Sequence, residues 1–212
     1  MSINYQIILD RKIAEITKAG TRPSLLLHSC CAPCSSYVLE YLSKYFSITL
    51  FFFNPNISAR SEYDMRYSEL ERLVREMGLD AQVGLVNGDY EPQRFYEIAR
   101  GLEDLPEGGE RCKKCYALRL EEAAQIAANG GFDFFTTTLS ISPHKNALWL
   151  NEIGEEMSAK YGVPYLFSDF KKRGGYLRSC QLSEEYGLYR QDFCGCVYSK
   201  TERNKKNQKN NI

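Results

Sequence analysis

Apolar positions along the chain repeat with two different periods. Short, nearly continuous apolar runs at 24–27, 48–53, 81–86, 132–138 and 163–167 have the length and composition of buried strands. Longer stretches between them repeat apolar residues every three or four positions and predict helices. These include a leading helix within 1–20, one carrying Tyr37 to Leu42 with Pro33 at its first position, and others over 61–77, 92–100, 116–128 and 146–161. Punctuation falls where the periods change: Asn54-Pro55-Asn56, Gly78, Asn87-Gly88-Asp89, Asn129-Gly130-Gly131 and Gly162. Strands alternating with helices predict an α/β fold, a three-layer sandwich with a mostly parallel sheet.

The segment over about 170–199 loses this order. A basic turn, Phe170-Lys171-Lys172-Arg173-Gly174-Gly175-Tyr176, precedes a short helix at 179–187, and polar, aromatic and sulfur residues then mix without a period. Such a stretch reads as part of a site. The expected organisation is a single domain over 1–199 whose Cys-rich end completes the site. A disordered basic tail, rich in Asn and Lys, is expected over 200–212.

The formal net charge of zero over 212 residues argues against broad, sequence-blind nucleic-acid binding but leaves room for local basic patches. No secretory pattern and no membrane-length apolar run is visible, so a soluble cytoplasmic protein is expected. A chain of this length buries a full core without staples. Its eight cysteines, in a reducing compartment, therefore point to metal binding or redox chemistry.

Seven of these thiols fall in three clusters: Cys30-Cys31-x-x-Cys34, Cys112-x-x-Cys115 and Cys194-Gly-Cys196. The first follows an apolar strand and opens a helix, where α/β sheets place ligands and where the helix end favours thiolates. Thiolates select zinc, copper(I) and iron–sulfur clusters. A structural zinc ion takes four ligands, fewer than are present, and adjacent Cys30 and Cys31 suit one ion poorly; a multi-iron cluster tolerates them better. Cys194 and Cys196 read either as a strained, easily reduced redox pair or as ligands to a second metal. Cys180, alone, reads as a small buried side chain.

Taken together, the motifs His28-Ser-Cys-Cys-Ala-Pro-Cys34, Arg111-Cys-Lys-Lys-Cys-Tyr116-x-Leu-Arg119-Leu, Thr137-Thr-Leu-Ser-Ile-Ser-Pro-His-Lys145, Lys171-Lys-Arg-Gly-Gly175 and Tyr189-Arg-Gln-Asp-Phe-Cys-Gly-Cys196 resemble the QueH family of epoxyqueuosine reductases. The resemblance implies a nucleotide-hydrolase-like fold related to the PP-loop ATPases, with an iron–sulfur cluster in place of ATP. It also implies two-electron reduction of the epoxide of epoxyqueuosine at the tRNA wobble position. Cys30, Cys31, Cys112 and Cys115 are then the expected ligands of a [4Fe–4S] cluster. Cys194 and Cys196 become the redox-active pair or share a second, mononuclear iron, for which Cys34 is a further candidate ligand. The partners implied are tRNA carrying epoxyqueuosine and an electron donor of unidentified kind; a monomer is expected.

Removing an epoxide oxygen as water takes two electrons, two protons and a Lewis acid on the oxygen. His28 is a candidate proton donor, against a structural role at the end of its strand. Asp192 is a second candidate acid, against loop capping. His144 and Lys145 follow a strand end and suit a phosphate, or else cap a helix. RNA contact is expected from Lys171, Lys172, Arg173 and Arg190, with Tyr176 or Tyr189 stacking on an unpaired base. The rival readings are an ATP-dependent PP-loop tRNA thiolase, for which Cys30 and Cys31 replace the glycines of a pyrophosphate loop, and a zinc-stabilised RNA-binding module.

Overall fold

Leu25, Leu26 and Leu27 define how the sheet is covered. Side chains alternate across a strand, so Leu25 and Leu27 enter one core while Leu26 enters the other. All three are fully buried, as a parallel sheet with helices on both faces demands. The computed structural model describes residues 3–210. In chain order it runs α1 (Tyr5–Ala19), β1 (Ser24–His28), α2 (Ala32–Leu42), β2 (Ser47–Phe52), α3 (Arg60–Glu76), β3 (Val83–Asn87), α4 (Pro92–Ala99) and α5 (Glu110–Asn129). Strand β4 (Phe134–Thr137), a 3-10 turn (Thr138–Ile141), α6 (Ala147–Tyr161), α7 (Gly175–Glu185) and α8 (Val197–Asn210) complete it.

The four strands are all parallel, in the order β3-β2-β1-β4. One core gathers Leu9 and Ile13 of α1, Val38 and Leu39 of α2, and Leu70 and Leu73 of α3 against β1 and β2. The other gathers Leu120 and Ala124 of α5 and Leu150 and Ile153 of α6 on the opposite face. This is the expected three-layer α/β sandwich. The chain steps outward from β1 to β2 to β3, then returns to the other side of β1 as β4. Loops after β1 and β4 therefore diverge and open a crevice at the carboxyl edge, the usual ligand position in such sheets.

Three elements differ from the sequence expectation. The strand expected at 163–167 is reduced to one parallel bridge between Phe135 and Tyr165, because Pro164 has no N–H to extend the ladder. Helix α5 begins at Glu110, so Cys112 and Cys115 lie within it, three apart on one helical face. The tail expected to be disordered from 200 instead continues α8 to Asn210; positions 211 and 212 fall outside the described residues. That helix is tied down through Arg203 to Asp192 at 2.6 Å and through Glu202 to the Glu107 N–H at 3.0 Å.

Gly154 marks where α6 meets the Phe135–Tyr165 edge: a Cβ there would sit 2.4 Å from the Tyr165 ring, itself buried. Gly154→Ala gains about 1 kcal/mol of helix propensity but overpacks a filled core at a cost of about 1–3 kcal/mol. We therefore expect a lower melting temperature by thermal denaturation. A higher one would mean that the ring is free to move aside.

Candidate metal centre

The loop after β1 places Cys30, Cys31 and Cys34 together. Cys31 is the residue before α2 and takes extended backbone angles, and Pro33 lies in the first turn. The three sulfur atoms lie within 4.8 Å of one another, with Cys30 and Cys31 at 3.8 Å. Their ionisation is shared. Hydrogen bonds from Cys31 and Cys34, then the Arg119 charge, hold the Cys30 thiol well below its ordinary range. Donation to Cys30 pushes Cys31 up to about 12, and Cys34 up as well. Three sulfurs this close, one of them easily ionised, suit a soft metal ion.

A second group surrounds an adjacent, narrower cavity of about 10 Å³. Cys112 and Cys115 of α5 meet Cys194 and Cys196 there, beside Tyr116, Lys145 and Arg119. Burial raises Cys112 and Cys196, and lifts Cys115 to about 12. Gly195 has φ of +112°, open to glycine alone, and a Cβ would meet Ile57 at 3.0 Å. Asn56 and Arg66 donate to the Cys194 carbonyl at 3.3 and 3.2 Å and fix this loop to the turn after β2 and to α3.

The two groups share a wall. Cys194, Glu107, Arg119 and Lys145 line the small cavity and also a larger one of about 340 Å³ that contains Cys30, Cys31 and Cys34. The structure thus brings all seven clustered cysteines to the carboxyl edge of the sheet. The expected cluster set Cys30, Cys31, Cys112 and Cys115 draws one pair from each group. Cys180 lies outside both cavities and is half-buried. The donor set suits iron–sulfur chemistry: all sulfur, with Cys31, Cys115 and Cys196 buried, and with buried Arg119 and Lys145 to balance the negative charge of thiolates. Burial alone would lower Lys145, but Cys194, Tyr116 and Glu107 outweigh it and keep its ammonium charged. Its Nζ lies 3.1 Å from Glu107 and 3.3 Å from the Cys194 sulfur, so it caps no helix; Asn146 caps α6.

Other predicted site residues divide sharply. Arg190, Tyr176 and His144 line the large cavity. Lys171 instead pairs with Asp169 at 2.8 Å, and Arg173 with Asp10 of α1 at 2.5 Å. Both lie outside the cavity linings and brace the turn, whereas Lys172 is exposed. Tyr189 is partly exposed, its hydroxyl 3.4 Å from Glu62, and likewise lines neither cavity. Asp192 holds Arg203. Asn54, Arg66, Arg119 and Lys206 also line the large cavity. Of these Arg119 lay in a motif that the sequence singled out, and Asn54 was read only as part of a turn.

His28 is fully buried and lines neither cavity. Its Nδ1 meets Thr137 Oγ1 at 2.9 Å, and its Nε2 meets the Phe53 carbonyl at 3.0 Å and Arg119 Nε at 3.3 Å. Burial, then the Arg119 charge, lowers it to about 3, so the ring is neutral at working pH. This is the structural alternative, in which the ring ties β1 to β2, β4 and α5. His28→Phe would remove the two hydrogen bonds that a neutral ring makes at once, one through each nitrogen, at about 1–3 kcal/mol each. Thermal denaturation should show a lower melting temperature, by about 2–4 °C per kcal/mol. Wild-type stability in this variant would reject the bracing role.

A protein-family model described as "Epoxyqueuosine reductase QueH" matches residues 25–202. A Streptococcus pyogenes protein named epoxyqueuosine reductase QueH is 44% identical over 199 residues, covering 93% of this chain and 78% of that protein. Its namesake from Staphylococcus epidermidis is 43% identical over 201 residues, covering 93% and 84% of the two chains. The namesake from Thermotoga maritima is 37% identical over 186 residues, covering 86% of this chain and 93% of its own. The matched span takes in β1, α5 and the Cys194–Cys196 loop, so every sulfur group described above lies inside it. The chain belongs to the QueH family, the epoxyqueuosine reductases.

Proposed function

We propose that this protein is an iron–sulfur enzyme that reduces the epoxide of epoxyqueuosine at the tRNA wobble position, giving queuosine and water with two electrons and two protons. One observation carries the reading: seven of eight cysteines line two adjoining cavities at the carboxyl edge of the sheet. In this reading Cys30, Cys31, Cys112 and Cys115 hold a [4Fe–4S] cluster. Cys34, Cys194 and Cys196 remain for a second, mononuclear iron, or Cys194 and Cys196 for a redox pair. Such a centre supplies electrons singly, and iron with an open position polarises an oxygen. The chain's own part is to gather the thiols, keep them dry and admit the modified base. A 340 Å³ cavity has the volume for one such group.

The cavity's rim suits an unpaired nucleotide. Tyr176 offers a stacking face at the opening, and Arg190, Arg203 and Lys206 bring positive charge to the same lining. Lys172 and Tyr189 extend the contact surface further out. Eight free thiols suit a cytoplasmic setting, and among the described residues no helix is long and apolar enough to cross a membrane.

Protein purified without oxygen should be brown, carry iron and sulfide, and convert epoxyqueuosine to queuosine in tRNA when given a chemical reductant, as read by mass spectrometry of nucleosides. A colourless zinc protein without this activity would overturn the reading. Cys194→Ser should abolish turnover while keeping most of the cluster absorbance; loss of that absorbance would move Cys194 into the cluster's ligand set. Arg190→Ala and Lys206→Ala should each weaken tRNA binding and flatten its salt dependence by about one counterion. Lys171→Ala should leave that slope unchanged, because its charge is already spent on Asp169. A reversed pattern in binding titrations at several salt concentrations would put the RNA contact on the 171–173 turn.

A further inference from the structure

Arg119 was used above only to balance thiolate charge together with Lys145, yet its surroundings set it apart from the other buried cations of the site. It sits on α5 one turn beyond Cys115, is 1% exposed, and lines both cavities. The other buried cations nearby have carboxylate partners: Arg66 pairs with Glu62 at 2.6 Å, Lys145 with Glu107 at 3.1 Å and Arg111 with Glu202 at 3.6 Å. Among the described residues no carboxylate pairs with Arg119. Its hydrogen bonds go to neutral groups, His28 Nε2 at 3.3 Å and the Asn54 amide oxygen. A guanidinium stays charged at any working pH and is strongly unfavourable when buried without a counterion. The groups around it able to carry negative charge are sulfurs: Cys115, Cys30 and Cys194.

We infer that Arg119 is the fixed countercharge of the sulfur-bound centre, a positioning residue that sets the centre's reduction potential. The inference rests on the iron–sulfur reading given above. Reduction adds negative charge to the centre, and a fixed positive charge in a dry site stabilises the reduced state over the oxidised one. His28 and Asn54 orient the guanidinium without neutralising it, so its field is left for sulfur. Arg119 lines both cavities, and its charge therefore acts on both cysteine groups.

The test is a redox titration of the iron-loaded protein, followed by absorbance and by electron paramagnetic resonance. Arg119→Gln should shift the reduction equilibrium at least about tenfold towards the oxidised state, a potential lower by about 59 mV for one electron. Arg119→Lys, which keeps the charge, should stay within about threefold of the parent. An unchanged potential in the loaded glutamine variant overturns the inference while leaving the iron–sulfur reading intact. Where the glutamine variant does not load, the lysine variant decides alone. A parental potential then supports the countercharge; a displaced potential, or failure of both variants to load iron, overturns it. Absence of iron and sulfide from the parent protein would defeat the iron–sulfur reading and this inference with it.

Discussion

A row of buried hydrogen bonds stands behind the sulfur, running from Asn54 through Arg119 and His28 to Thr137. Each member comes from a different element: the turn after β2, helix α5, and the ends of β1 and β4. A polar network in a dry interior is stable only when nearly all its members are matched, so these four elements cannot shift independently. The wall extends forward as well. Asn54 also donates to the Ser29 carbonyl at 3.0 Å, which fixes the turn that carries Cys30. The positions of two cysteine groups on separate elements thus follow from one network with little freedom to slide.

Much of the fold was legible because it depends on local periodicity. Runs such as Leu25 to Leu27 and Phe51 to Phe53 have few alternatives to a buried strand, and their order in the chain dictated parallel pairing. The sulfur clusters were legible for a related reason: each is contiguous in sequence, and Cys112-x-x-Cys115 converges through helical spacing alone. Tertiary contacts decided the rest, as when Glu202 and Arg203 tie a polar tail into α8, and Asp169 and Asp10 pair with Lys171 and Arg173. The roles of Asn56 and Arg66 stayed invisible because no local pattern marks a residue that acts on Cys194 from well over a hundred positions away.

The electrostatics of the site make sense only with sulfur as the anion. Hydrogen bonds from its neighbours push the Cys30 thiol down, while donation to Cys30 pushes the thiols of Cys31 and Cys34 up. A soft cation that displaces those protons relieves the mutual repulsion of the thiolates it binds. The same crowding disfavours ATP, whose phosphates need approachable backbone N–H groups where this loop presents Cys30 and Cys31.

The C-terminal segment gives the site its last layer and links chemistry to recognition. The α/β core supplies Cys30, Cys31, Cys34, Cys112 and Cys115, whereas Cys194 and Cys196 arrive on a loop held by Asn56, Ser58 and Arg66. Helix α8 starts immediately after that loop and carries Arg203 and Lys206 to the cavity rim. Its Glu202 also braces the acidic loop before α5, where Arg111 collects the carbonyls of Leu102, Glu103 and Leu105. A displacement of α8 by bound RNA would therefore be felt directly at Cys194 and Cys196 and, through Glu107, at Lys145. In this architecture the segment proposed to contact the RNA also supplies Cys194 and Cys196 to the sulfur site, so both proposed roles fall on one stretch of chain.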